Sequence, residues 1–170
     1  MKIISKTFIL TFMVLSAFQL TAQKFGYTNS ADLLQMHPQI NEMNAELEAF
    51  QKKEAEQLQT AAQAFETKYR KFEKDMQEGV LSQVQAEKQR EALAKEQQDL
   101  QQMDQTAQFK VAQKREQLIQ PILKELDEAI QAVGKEGGFM FIFDTGAAGT
   151  IIYAQDSDDV TELIKAKLGW

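Results

Sequence analysis

Between Pro38 and Pro121 lie 82 residues that contain no proline and a single glycine, Gly79. The stretch is rich in Ala, Gln, Glu, Lys and Leu, which cost little in a helix, and nothing in it other than Gly79 would stop one. Apolar residues recur at helical spacing: Ile40, Met43, Leu47 and Phe50, then Leu58, Ala62, Phe65, Tyr69, Phe72 and Met76. Steps of three and four mark one packed stripe per helix. The eleven-residue step from Leu47 to Leu58 relaxes the supercoil that pure heptads would impose. After Gly79, Ser82 is followed three residues later by Gln85, the spacing of a capping box that starts a new helix. The second stripe runs through Leu93, Leu100, Met103, Val111 and Leu118 and becomes dense from Ile119 to Val133. A short break between two long helices predicts an antiparallel hairpin, with a first arm over 39–77, a tip near 78–82 and a kink at Pro121.

The flanks have a different pattern. Phe25–Thr28, Phe139–Phe143 and Thr150–Ala154 are short strand candidates, and the glycine-containing loop 144–149 predicts that the last two form a hairpin. Asp159, with Glu162 three residues on, predicts the cap of a final helix over 159–168. His37, beside Pro38, reads as a surface residue at the bend into the first arm. The expected class is α+β: a long antiparallel helical hairpin over 38–133 inserted in a small β-rich head made of 23–37 and 134–170. A head of about fifty residues buries too little apolar area to stand comfortably alone, and its strands leave open edges. Both facts predict association through the head. Phe25, Tyr27, Phe139, Phe141, Phe143, Ile151 and Tyr153 are the candidates for that contact.

Before all this come Lys2, Lys6 and an apolar run over 9–18, then the small residue Ala22. A basic start, a short apolar core and a small-residue exit predict a secretory leader over 1–22, and hence export. Without it the chain carries 17 Lys and Arg against 25 Asp and Glu, a net charge near −8. An acidic chain does not suit a nucleic-acid partner, whose phosphates call for a basic surface. The absence of cysteine removes thiol chemistry, disulfides and Cys-ligated metal, and a lone histidine removes poly-His metal sites.

The apparent catalytic motifs are thin. Phe143-Asp144-Thr145-Gly146 resembles the Asp-Thr-Gly turn of an aspartic protease, but there is one copy and too few strands for a bilobed cleft; a turn explains it as well. Asp156, Asp158, Asp159 and Glu162 lack the glycine and the twelfth-position acid of a calcium loop. The 146–149 segment lacks the Lys-Ser/Thr of a phosphate loop. No enzyme, no cofactor and no ATP use are expected.

Two features of the arms point to binding instead. Lys68, Arg70, Lys71 and Lys74 form a basic patch near the tip, opposed within that window only by Glu73. It reads either as a solvated, paired helix face or as a contact for an acidic partner. Phe50, Phe65, Tyr69, Phe72, Met76, Met103 and Phe109 decorate a hairpin too thin to bury them all. Aromatic and Met side chains left outside suit adaptable apolar contact.

Taken in order, Lys24-Phe25-Gly26-Tyr27-Thr28-Asn29-Ser30, Pro121-Ile122-Leu123, Ala129-Ile130, Val133, Gly137-Gly138-Phe139, Ile142-Phe143-Asp144, Ile152-Tyr153-Ala154, Asp159-Val160-Thr161 and 164–168 resemble the OmpH/Skp family of periplasmic chaperones. The resemblance covers the chain after the leader. It implies a homotrimer whose heads join in a β-barrel body and whose hairpins project like tentacles around a cavity. It also implies an ATP-independent holdase in the periplasm, with unfolded outer-membrane β-barrel proteins as clients. The strongly basic enterobacterial members differ from this acidic chain. Membrane or lipopolysaccharide contact is therefore carried over only as far as the Lys68–Lys74 patch allows. The competing expectation is a structural coiled-coil spacer linking envelope components.

Overall fold

The computed structural model describes residues 23–146 and 151–170. The leader expected over 1–22 lies outside the described residues, as does the glycine-bearing end of the 144–149 loop. The element order is β1 (Lys24–Thr28), α1 (Ser30–Met36), α2 (Ile40–Gln77), α3 (Gln83–Gly137), β2 (Phe139–Asp144), a 3₁₀ turn (Asp156–Asp158) and α4 (Thr161–Leu168). The described residues form two compact units: 23–35 with Glu125–Trp170, and Met36–Lys124.

The Met36–Lys124 unit is the helical hairpin. Helix α2 has 38 residues, about 57 Å at 1.5 Å per residue. Its end is a Schellman closure: Gly79 N–H donates to Met76 O at 3.2 Å and Val80 N–H to Asp75 O at 3.0 Å. Gly79 sits at φ +68, the left-handed conformation that glycine adopts without a Cβ penalty. The capping box follows at once, with Ser82 N–H and Ser82 Oγ donating to Gln85 Oε1 at 3.0 and 2.8 Å and Gln85 N–H donating back to Ser82 Oγ at 3.4 Å. Ion pairs Glu46–Lys114, Glu54–Lys110 and Lys68–Glu96 join α2 to α3, the numbers rising along one helix as they fall along the other. The helices are thus antiparallel, as the short break required. Pro121 lies inside α3, and the helix continues through it despite the missing donor. His37 is buried rather than on the surface: its Nδ1 accepts Gln39 N–H at 3.2 Å and its carbonyl accepts Ile40 N–H at 2.9 Å, so the ring folds under the turn that starts α2.

In the other unit, β1 and β2 pair in parallel, with Phe25 opposite Phe141, Gly26 opposite Ile142, Tyr27 opposite Phe143 and Thr28 opposite Asp144, and an irregularity between Lys24 and Phe25. The opposite edge of β1 makes one bridge, Tyr27 to Asp159, with Val160 N–H donating to Tyr27 O at 3.0 Å. Residues 151–154 carry no strand assignment, so the expected β-hairpin is replaced by this long-range parallel pair. The partner of β2 comes from the opposite end of the chain, and period-two patterning does not encode which strand pairs with which. The core comes from Leu33 on α1, Leu126, Ala129 and Val133 on α3, Val160, and Ile164 on α4. The α3 positions repeat in steps of three and four, one buried stripe. The α4 cap shifts by one residue from the expectation: Val160 occupies the cap position, while Asp159 Oδ1 accepts Thr161 N–H at 2.8 Å from just outside.

Gly26 leaves no room for a side chain. A Cβ there would lie 2.8 Å from Val160 Cγ1 and 3.1 Å from the Phe139 ring. Gly26→Ala is expected to lower stability by about 1–3 kcal/mol through overpacking, read as a fall in the urea midpoint at unchanged slope.

Candidate functional site

Asp144 ends β2 and organises the start of α1. Its Oδ1 accepts Ser30 N–H at 3.0 Å and Gly146 N–H at 2.9 Å, and its Oδ2 accepts the Ser30 hydroxyl at 2.5 Å. Asn29 Oδ1 takes the next two helix donors, Ala31 and Asp32 N–H, at 3.1 and 3.2 Å. Two side chains thus satisfy three orphan donors of α1. Desolvation pushes the Asp144 carboxyl up, but the hydrogen bonds from the Ser30 hydroxyl, Ser30 N–H and Gly146 N–H outweigh it and hold the group below the usual carboxylate range. The Asp-Thr-Gly turn is therefore a joint between the two ends of the chain. A depressed folded-state pKa stabilises the fold above the unfolded value, about 3.9, and that stabilisation fades as pH falls through the lower folded value. Asp144→Ala is expected to cost about 1 kcal/mol at pH 7. Urea titrations should show the gap to the parent narrowing below pH 4.

Three of the association candidates, Phe25, Phe141 and Phe143, cluster on one face of the small sheet. Phe25 stacks on Phe141 with ring centroids 6.1 Å apart and planes 3° off parallel, and Phe143 lies 6.3 Å from Phe25 and 6.1 Å from Phe141. All three rings remain exposed. Next to them is a cavity of about 570 Å³ lined by Phe25, Tyr27, Phe143, Ile151, Tyr153 and Asp158, among others. Tyr153 is 82% and Ile152 98% exposed. Phe139 is half-buried under the Lys24 ammonium, which sits 4.0 Å above its ring. Tyr27 is half-buried. Burial, then the carboxylates of Asp159, Asp156 and Asp158, pushes its phenol up, so it stays neutral. An aromatic face beside exposed Ile and Tyr exceeds the scattered apolar exposure of a monomer's surface.

On the hairpin the candidates divide. Phe50, Phe65, Phe72 and Met103 are half-buried, whereas Tyr69, Met76 and Phe109 are exposed, Phe109 at 68%. The ring centroids of Phe65 and Tyr69 lie 6.1 Å apart. The four cations of the tip patch are all paired: Lys68 with Glu96 at 2.7 Å, Arg70 with Glu66 at 2.5 Å, Lys71 with Asp75 at 2.6 Å and Lys74 with Glu78 at 3.8 Å. Asp75 and Glu78 stand out in the sequence as close neighbours of the cations, whereas Glu66 and Glu96 were not singled out; three of the pairs are the i,i+4 spacing that a helix brings together. Val80 and Val84 at the tip, exposed at 65% and 80%, were also missed; their only signal is apolar identity at a predicted turn. Among the described residues there is no cluster able to hold a metal ion, and no helix is long and apolar enough to cross a membrane.

A long helical hairpin and a small head with a parallel two-stranded sheet, both carrying exposed apolar side chains, define the architecture of this chain. Residues 24–168 match the OmpH-like outer membrane protein family, and the chain belongs to that family. No curated relative matches it. Among solved structures it is similar to a chain from Caulobacter crescentus CB15 described as an OmpH-like outer membrane chaperone, with a TM-score of 0.72 and 17% identity over 87% of this chain and 85% of that one. At that identity the likeness is one of fold.

Proposed function

We propose that the protein is an ATP-independent holdase of the periplasm that keeps unfolded outer-membrane β-barrel proteins from aggregating. The observation that carries this reading is the display of Tyr69, Met76 and Phe109 on a helical hairpin, in a chain of the OmpH-like family. Unfolded β-barrel chains expose alternating apolar faces and unpaired strands, which aggregate. Many weak apolar contacts, multiplied over several arms, bind such a chain by avidity while each contact stays quick to break. The client leaves when a better partner is available, by mass action, with no nucleotide needed.

The division of labour follows the two architectures. The head, 23–37 and 134–170, assembles three chains through Phe25, Tyr27, Phe139, Phe141, Phe143, Ile151 and Tyr153, with the open edge of β2 available for strand pairing between copies. The hairpin, 38–133, carries the client surface, and the leader over 1–22 directs export. The test is dilution of a urea-unfolded outer-membrane β-barrel protein into buffer with the full mature chain. Scattering should be suppressed at about one trimer per client. Unchanged client aggregation at excess protein, together with capture of a single folded envelope component, would replace the holdase by the spacer reading.

A further inference from the structure

Tyr69, Glu73 and Met76 occupy positions i, i+4 and i+7 of α2 and so share one face of the helix. Tyr69 and Met76 are 44% and 41% exposed, and Glu73 between them is exposed too. The cations around this stripe are committed elsewhere: Lys68, Arg70, Lys71 and Lys74 are held by Glu96, Glu66, Asp75 and Glu78. Glu73 makes no ion pair among the described residues. The segment that looks basic in sequence therefore presents to a partner one uncommitted carboxylate, flanked by an aromatic ring and a thioether.

We infer that the Tyr69–Glu73–Met76 stripe is a subsite for unfolded segments in which an apolar side chain neighbours a Lys or Arg. The carboxylate takes the cation, the Tyr69 ring offers it a π face, and Met76 adapts to the apolar neighbour. The net charge near −8 of the chain without its leader, 17 Lys and Arg against 25 Asp and Glu, adds long-range attraction of the same sign. This inference rests on the client-binding reading and names the chemistry that one part of the arm prefers.

The test uses three labelled peptides of equal length with identical alternating apolar residues, whose intervening positions are Lys/Arg, Gln or Glu. Binding to the full mature chain is followed by fluorescence anisotropy at low and at 0.5 M salt. The cationic peptide is expected to bind about three- to tenfold more tightly than the Gln peptide, with the margin shrinking in high salt. Glu73→Gln should remove most of that margin and leave the Gln peptide's affinity and the thermal midpoint unchanged. Glu48→Gln, which removes the same charge from another exposed position on α2, should keep it. Equal loss in both variants would assign the preference to net charge and overturn the subsite, as would a margin that survives Glu73→Gln. If no peptide binds and no unfolded client is protected, the holdase reading fails as well. If the Gln peptide binds and clients are protected without a cationic margin, only the subsite fails.

Discussion

In the trimer we propose, Phe141→Asp is expected to reduce the particle from three protomers to one. The substitution places a carboxylate between the exposed rings of Phe25 and Phe143, where a partner's apolar surface must sit if the heads associate. Burying an unpaired charge at an interface costs several kcal/mol, against an association free energy of about 8–12 kcal/mol for a micromolar to nanomolar assembly. Light scattering coupled to size exclusion should show the mass falling about threefold at micromolar concentration. Because Phe141 is exposed within the protomer, helical circular dichroism should change little. Retention of the trimer mass in Phe141→Asp would move assembly off this face.

The second large effect belongs to the arms. Replacing Tyr69, Met76 and Phe109 together by Ser should leave the trimer mass intact and abolish protection of an unfolded client at one trimer per client. Each side chain contributes about 1 kcal/mol of apolar burial on contact. Loss of about 3 kcal/mol per arm corresponds to affinity reduced on the order of a hundredfold. Folding stability should move little, because these residues already face solvent in the protomer. The same triple change at the half-buried Phe50, Phe65 and Phe72 should instead lower the melting temperature, and that contrast separates seam from surface.

The hairpin was legible in the sequence because its signals are local. Gly79 and the Ser82–Gln85 pair lie within a few residues of the turn they build, and the three-four spacing of the apolar stripe needs no knowledge of a partner. Helix α1 was not foreseen; its seven residues are too short for periodicity, and its cap depends partly on Asp144, more than a hundred residues away. The same separation hid the parallel pairing of β1 with β2. Thr150–Ala154 has strand composition, but within one protomer the segment over 151–154 has no strand partner, and composition alone does not supply one. The basic patch left two readings open for a simpler reason. A tally of charges by window leaves out which acid each lysine reaches around the helix or across the seam, and it is the pairing that decides what a surface offers. His37 likewise read as exposed from its neighbour Pro38, while its ring nitrogen is used by the turn itself.

The parallel register of β1 with β2 has a consequence for the order in which the molecule can be made. The hairpin closes through contacts that are near in sequence around its tip, which form early and cheaply. The sheet joins Lys24–Thr28 to Phe139–Asp144 and must wait until the chain has grown past the far strand. A chain that ends between Lys124 and Phe139 still carries the whole hairpin unit, but it has no second strand with which to display the Phe25–Phe141–Phe143 face. If the heads assemble through that face, as proposed, only chains that carry both strands can join the assembly.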